Sequence, residues 1–156
     1  MTGAAVAAAV AAELAAEGFP RVPAQVLMAL TVRPSGTMTA AELSGELGVS
    51  PAAISGAIRY LGVLGFVRVA VVPGTRRHVY SLPAVPWYAS TLTQDRYTSM
   101  LALLDGGLRD LDPGPAHDRL EEMAAFFRFL RAEMPQLWER WRASRDGRGG
   151  GVPPEE

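Results

Sequence analysis

The side chains best suited to binding chemistry in this sequence are guanidinium groups. All fifteen basic residues are Arg and none is Lys. A guanidinium presents a planar fork of donors that matches two phosphate oxygens or the two acceptors on the major-groove edge of guanine. Three arginines stand out by position. Arg76 and Arg77 are adjacent in Pro73-Gly74-Thr75-Arg76-Arg77, a turn signal between two runs rich in β-branched and aromatic residues. Arg59 lies where Ile54, Ile58 and Leu61 recur at helical spacing, which leaves it on the opposite face with Ala53, Ser55, Gly56 and Tyr60. The formal net charge is -1, yet residues 33–81 carry five Arg against two Glu while residues 82–156 carry nine Arg against twelve acids. A basic excess confined to the middle third is modest in size, but it lies where a polyanionic partner would be met.

Other chemistries have no residues to carry them. With no Cys, thiolate metal sites, disulfides and thiol redox sensing are excluded. His78 and His117 are isolated, and there is no H-E-x-x-H, Gly-rich phosphate loop or His-carboxylate cluster, so an enzyme is not expected and neither metal nor cofactor is. The opening AAVAAAVAA run lacks a basic leader and is followed by Glu13, and no stretch reaches about 18 uninterrupted apolar residues. The expectation is a cytoplasmic protein without a membrane partner.

The elements that must position these arginines follow from local signals. Residues 2–17 are Ala-rich and stop at Gly18, which predicts a first helix. Pro20 can open a second, through Val26, Leu27 and Leu30, that ends before Pro34, with a turn at Pro34-Ser35-Gly36. Thr39 precedes Glu42 by three residues, the capping-box signature, ahead of a short helix over about 40–47. Gly48 ends it, and Ser50-Pro51 restarts the chain as N-cap and first helical residue. Phe66–Val72 and His78–Leu82 then form a hairpin around the arginine tip. Beyond Pro86, Tyr97, Met100, Leu101, Leu104, Leu108 and Leu111 predict one long helix over 87–111, broken by Asp112-Pro113-Gly114-Pro115. A last helix presents Leu120, Met123, Phe127, Leu130, Met134, Leu137, Trp138 and Trp141 on one broad face, with a kink expected at Pro135. The tail, 146–156, has nothing to bury and is expected to be disordered.

Helix, Gly-containing turn, helix and a basic-tipped hairpin is the order of a winged helix-turn-helix, whose second helix enters the major groove. The fold class expected is mainly α with a small β-hairpin wing, flanked by dimerisation helices. The stretches GFPRVPAQVLMAL at 18–30, TAAELSGELGVSPAAISGAIRYLGVLGFV at 39–67, PGTRRHVYSL at 73–82 and FFRFLRAEMPQLWERW at 126–141 resemble the MarR family of winged-helix regulators, and in particular its GbsR-like branch. The resemblance covers roughly residues 10–145. It implies a single domain over 1–145, with the winged helix-turn-helix at about 20–82 and dimerisation helices at about 2–17 and 87–145 interlocking between two chains.

On this reading double-stranded DNA is met by Thr39, Ser50, Pro51, Ala53, Ser55, Gly56, Arg59, Tyr60, Thr75, Arg76 and Arg77. A homodimer is expected independently, because the stripe of Leu120, Met123, Phe127, Leu130, Leu137, Trp138 and Trp141 would otherwise leave an exposed apolar patch. Such a dimer would read a pseudo-palindrome with half-site centres about 10 base pairs apart. Trp87 and Tyr88 are the candidates for a small-molecule effector pocket, although packing is the commoner task of such aromatics. The competing reading is a winged-helix module that binds a protein partner instead of a specific DNA sequence.

Overall fold

Ile54, Ile58 and Leu61 do face inward. They meet Val26, Leu27 and Leu30 of the helix Arg21–Val32, together with Met38 and Leu43, and all are buried. In the computed structural model, which describes residues 2–93, 95 and 97–146, the order is α1 (Gly3–Ala16), α2 (Arg21–Val32), β1 (Thr37–Thr39), α3 (Ala40–Leu47), α4 (Pro51–Val63), β2 (Arg68–Val71) and β3 (His78–Ser81). A 3₁₀ turn (Trp87–Ala89), α5 (Ser90–Thr93), α6 (Thr98–Asp110) and α7 (Pro115–Asp146) follow. The chain divides after Trp87 into two compact units. No helix among the described residues is long and apolar enough to cross a membrane.

In the first unit the helix boundaries follow the caps. Thr2 accepts a hydrogen bond from the Ala5 N–H at the start of α1, and Ala7 and Ala11 bury against Ala24 and Met28 of α2. At α3 the capping box is complete: Thr39 Oγ1 accepts from the Glu42 N–H at 3.2 Å, and Glu42 Oε2 accepts from the Thr39 N–H at 2.8 Å. Gly48 ends α3 at φ +64, a left-handed conformation that would strain a side chain. Ser44 Oγ donates to the Val49 carbonyl at 2.6 Å and so ties the turn between α3 and α4.

The sheet has one strand more than the hairpin expected from sequence. Residues 37–39 form β1, which pairs antiparallel with β3, so the order is β1-β3-β2 and Met38 opposite Tyr80 is buried. A three-residue strand shows no alternation long enough to detect; it exists because β3 offers it a free edge.

The second unit corrects the single long helix expected over 87–111. That segment is a 3₁₀ turn, the short α5 and then α6 from Thr98. Asp95 supplies a start signal there, its carboxylate accepting from the Thr98 N–H at 3.1 Å. The break at Asp112–Gly114 stands as expected, and α7 runs unbroken past Pro135. Leu101 of α6 and Ala124 and Met134 of α7 are buried, and Tyr97 stacks on Phe127 with ring centres 4.9 Å apart. Arg128 of α7 bridges Asp105 of α6 and Glu121, which precedes it on α7 by about two turns. The tail expected to be disordered lies, beyond Asp146, outside the described residues.

Candidate nucleic-acid interface

The recognition-helix candidate is α4. Its N-cap Ser50 is extended, its hydroxyl accepts from the Ala53 N–H at 3.2 Å, and Pro51 occupies the first helical position, where no backbone donor is needed. With one face anchored in the core, the opposite face is fixed in space. Ala52, Ser55, Gly56, Arg59 and Val63 fall along it and are all exposed. Ala52 and Val63 were not among the residues expected from sequence. Val63, which is 85% exposed, sits one turn beyond Arg59, and that i+4 spacing is the signal that would have found it.

Ala53 is half-buried, and Tyr60 turns toward the edge of the face. Its ring packs edge-on against Phe19, centres 5.8 Å apart. Tyr60 is thus partly a packing residue, although 40% of its surface stays exposed.

The wing tip is built by one hydroxyl. Thr75 Oγ1 donates to the Val72 carbonyl at 3.0 Å and accepts from the Arg77 N–H at 3.2 Å, while Gly74 takes φ +77. Thr75 therefore shapes the turn that displays Arg76 and Arg77, both exposed. Thr39 plays the same part for α3, with its hydroxyl giving and receiving a bond to Glu42. Those bonds hold the Glu42 carboxyl below the usual glutamate pKa, the Thr39 N–H first and the nearby Arg33 charge as a smaller cause. An open hollow of about 360 Å³ lies between the start of α3 and the wing, lined by Thr39, Ala40, Ala41, Arg77, His78 and Tyr80.

Electrostatics separates the arginines into two sets. Among the described residues no carboxylate lies within ion-pair distance of Arg59, Arg68, Arg76 or Arg77, whereas Arg33, Arg128 and Arg142 are each paired. Guanidinium groups without an internal carboxylate on one helix face and one hairpin leave those surfaces positive, a charge that suits a polyanion. The residues assigned to an effector differ: the Trp87 ring packs at 6.0 Å from Phe66, and Tyr88 is 60% exposed.

Two family models match this architecture, one described as the MarR family over residues 17–78, the other as an MmpR5-like MarR family transcriptional regulator over residues 86–144. The chain belongs to the MarR family. Between them the two matches take in α2 through the wing tip and the helices that follow the wing, and this MarR protein is accordingly a transcriptional regulator and not an enzyme. Among solved structures it is similar to one described only as a transcriptional regulator, at 22% identity and TM-score 0.74, with 88% of this chain and 95% of that one covered. That likeness concerns the fold. Sco3205 of Streptomyces coelicolor, a MarR family regulator solved in complex with DNA, matches at 20% identity and TM-score 0.45 over 99% of this chain and 84% of that one. The adhesin competence repressor of Streptococcus pyogenes matches at 18% identity and TM-score 0.42, over 78% of this chain and 88% of that one. No curated protein sequence matches the chain.

Gly56 offers a direct probe of how near α4 comes to its partner. A Cβ built there would meet nothing within 4 Å. Gly56→Ala is therefore expected to stabilise the free protein by about 0.5–1 kcal/mol through helix propensity and, on the expectation from sequence that α4 enters the major groove, to weaken duplex binding by adding a methyl to that face. Thermal unfolding and fluorescence anisotropy check the two halves. A stabilised variant with unchanged affinity would remove Gly56 from the interface.

Proposed function

We propose that the protein is a homodimeric regulator that binds a pseudo-palindromic operator in double-stranded DNA, with α4 in the major groove and the β2–β3 wing on the flanking backbone. The observation that carries this reading is the set of unpaired arginines, Arg59 on the exposed face of α4 and Arg76 and Arg77 on the wing tip. Ser50, Pro51, Ala53, Ser55, Gly56 and Tyr60 accompany Arg59 along or beside α4; Thr39 and Thr75 hold α3 and the wing tip in place. Contacts to phosphate position such a protein, and contacts to base edges give it sequence preference.

The dimer rests on the second unit. Leu120, Met123, Leu137 and Trp141 are all exposed on α7, and Phe126 and Phe129, absent from the stripe expected by sequence, are 55% and 60% exposed beside them. Phe127 instead turns onto Tyr97 within the unit, and Leu130 and Trp138 are half-buried. A further apolar hollow of about 410 Å³, lined by Met100, Leu103, Leu104, Gly107, Leu108, Leu111 and Leu120, adds to this surface. Apolar surface of this kind marks an interaction site, and a second copy is the partner that closes it symmetrically.

Two finer assignments belong to the same proposal. A small-molecule effector acts at Trp87 and Tyr88, the aromatic pair that follows the wing in the chain. The GbsR-like branch is supported by the stretch at 126–141, although the model matched over 86–144 carries the MmpR5-like description. Cytoplasmic location follows from the DNA partner.

The test is selection of bound sequences from random duplex DNA, followed by the same selection with Arg59→Ala. A two-fold symmetric site is expected from the wild type. Arg59→Ala is expected to cost about 1–3 kcal/mol on that site and to relax the preference at one position of each half-site. Equal loss on every sequence would make Arg59 a phosphate contact. The exposed Val63, Val69 and Val71 favour a protein partner as the second reading, and absence of salt-dependent duplex binding would establish it over the first.

A further inference from the structure

Of the five arginines in the basic stretch 33–81, Arg33 alone is spent inside the protein. It is the C-cap of α2, its N–H donates to the Ala29 carbonyl at 3.1 Å, and its own carbonyl accepts from the Gly36 N–H at 2.9 Å. The backbone is therefore held on both sides, and the guanidinium reaches α3 from a fixed base. One arm donates to Glu42 Oε1 at 3.1 Å and the other lies 3.5 Å from Glu46 Oε2.

Glu42 and Glu46 are one turn apart on α3, a spacing at which like charges repel. They are also the only acids in residues 33–81. Glu42 divides its two oxygens: Oε2 serves the Thr39 cap and Oε1 serves Arg33. Arg33 thus meets both carboxylates of the helix that, in a helix-turn-helix, crosses the nucleic-acid backbone. Left unmet, two negative charges would face a polyanion.

We propose that Arg33 is a positioning and charge-masking residue for duplex binding, one that touches no phosphate itself but neutralises Glu42 and Glu46 and ties the start of α3 to the end of α2. This rests on the DNA-binding reading above. A phosphate-binding arginine and a masking arginine both weaken binding when removed, but they differ in what restores it. Removing a phosphate-binding arginine lowers the salt slope by about one. Removing a mask exposes a repulsion that salt screens, and both the affinity and the slope return once the charges it covered are removed.

The experiment compares wild type, Arg33→Ala and the triple variant Arg33→Ala/Glu42→Gln/Glu46→Gln on a random-sequence duplex across a salt series, with thermal unfolding of each. Gln at position 42 keeps the capping box, which accepts Glu or Gln, so α3 retains its cap. Arg33→Ala is expected to weaken binding about fivefold at low salt and less at high salt, and the triple variant to recover both wild-type affinity and wild-type salt slope. Arg33→Gln, which keeps an amide donor but no charge, carries the expectation should the Ala variant not fold. A salt slope that stays lowered by about one in the triple variant, or no recovery of its affinity, would overturn the proposal. A wild-type protein that binds no duplex at low salt would overturn the DNA-binding reading and, with it, this one.

Discussion

Replacing Arg76 and Arg77 together with Ala is expected to weaken binding to specific and non-specific duplexes alike, and to flatten the dependence of log affinity on log salt by about one unit for each phosphate no longer neutralised. The expectation comes from the way the tip is made. Every hydrogen bond that shapes it uses the backbone and the Thr75 hydroxyl, so neither arginine side chain has a structural task. Removing them should leave the hairpin and the unfolding temperature unchanged while deleting two unpaired positive charges from the surface. Anisotropy titrations across a salt series read the slope directly. An unchanged slope would show that the wing does not meet the backbone, and would shift weight to a protein partner.

The second large effect concerns the second unit. Phe126→Glu with Phe129→Glu places two carboxylates on the exposed flank of α7, where the wild-type rings are more than half exposed. The helix should persist, because both rings are more than half exposed, Phe126 giving up only an edge contact to Phe127, and Glu has good helix propensity. Sedimentation is expected to show monomer at concentrations where the wild type is dimeric. Binding to a two-half-site operator should fall by about a hundredfold or more, while binding to an isolated half-site is retained, since the variant removes only the linkage between two binding units. A wild type that sediments as monomer at every concentration would end the dimer reading. A variant that stays dimeric would move the interface elsewhere.

The contrast between Phe127 and its neighbours shows where sequence reasoning reaches its limit. Helical spacing places Phe127 with Met123, Leu130 and Trp141 on one stripe, and that much is correct as geometry. Which part of a broad stripe is covered by the same chain depends on where Tyr97 comes to rest, and Tyr97 stands thirty residues away in sequence. Phe126 and Phe129 were missed for the same reason: they lie off the stripe, and only the packing of α6 shows that their side of the helix is left uncovered.

What the amino-acid order determined by itself is the local grammar of the first unit. The Thr39–Glu42 capping box, the Ser50-Pro51 start, the left-handed Gly48 and the Gly74 turn each act within about four residues. Their energetics do not wait for the rest of the fold. So the bounds of α3 and α4, the inward set Ile54, Ile58 and Leu61, and the exposed arginines Arg59, Arg76 and Arg77 were all legible in advance. Tertiary structure alone decided the pairing of β1 with β3, the packing of Tyr60 against Phe19, and the use of Arg33 against Glu42 and Glu46 in place of an outside partner. Each of these joins segments distant in the chain. Whether a residue is satisfied internally or left for a partner is set by which elements the core brings beside it, and no cap or period records that.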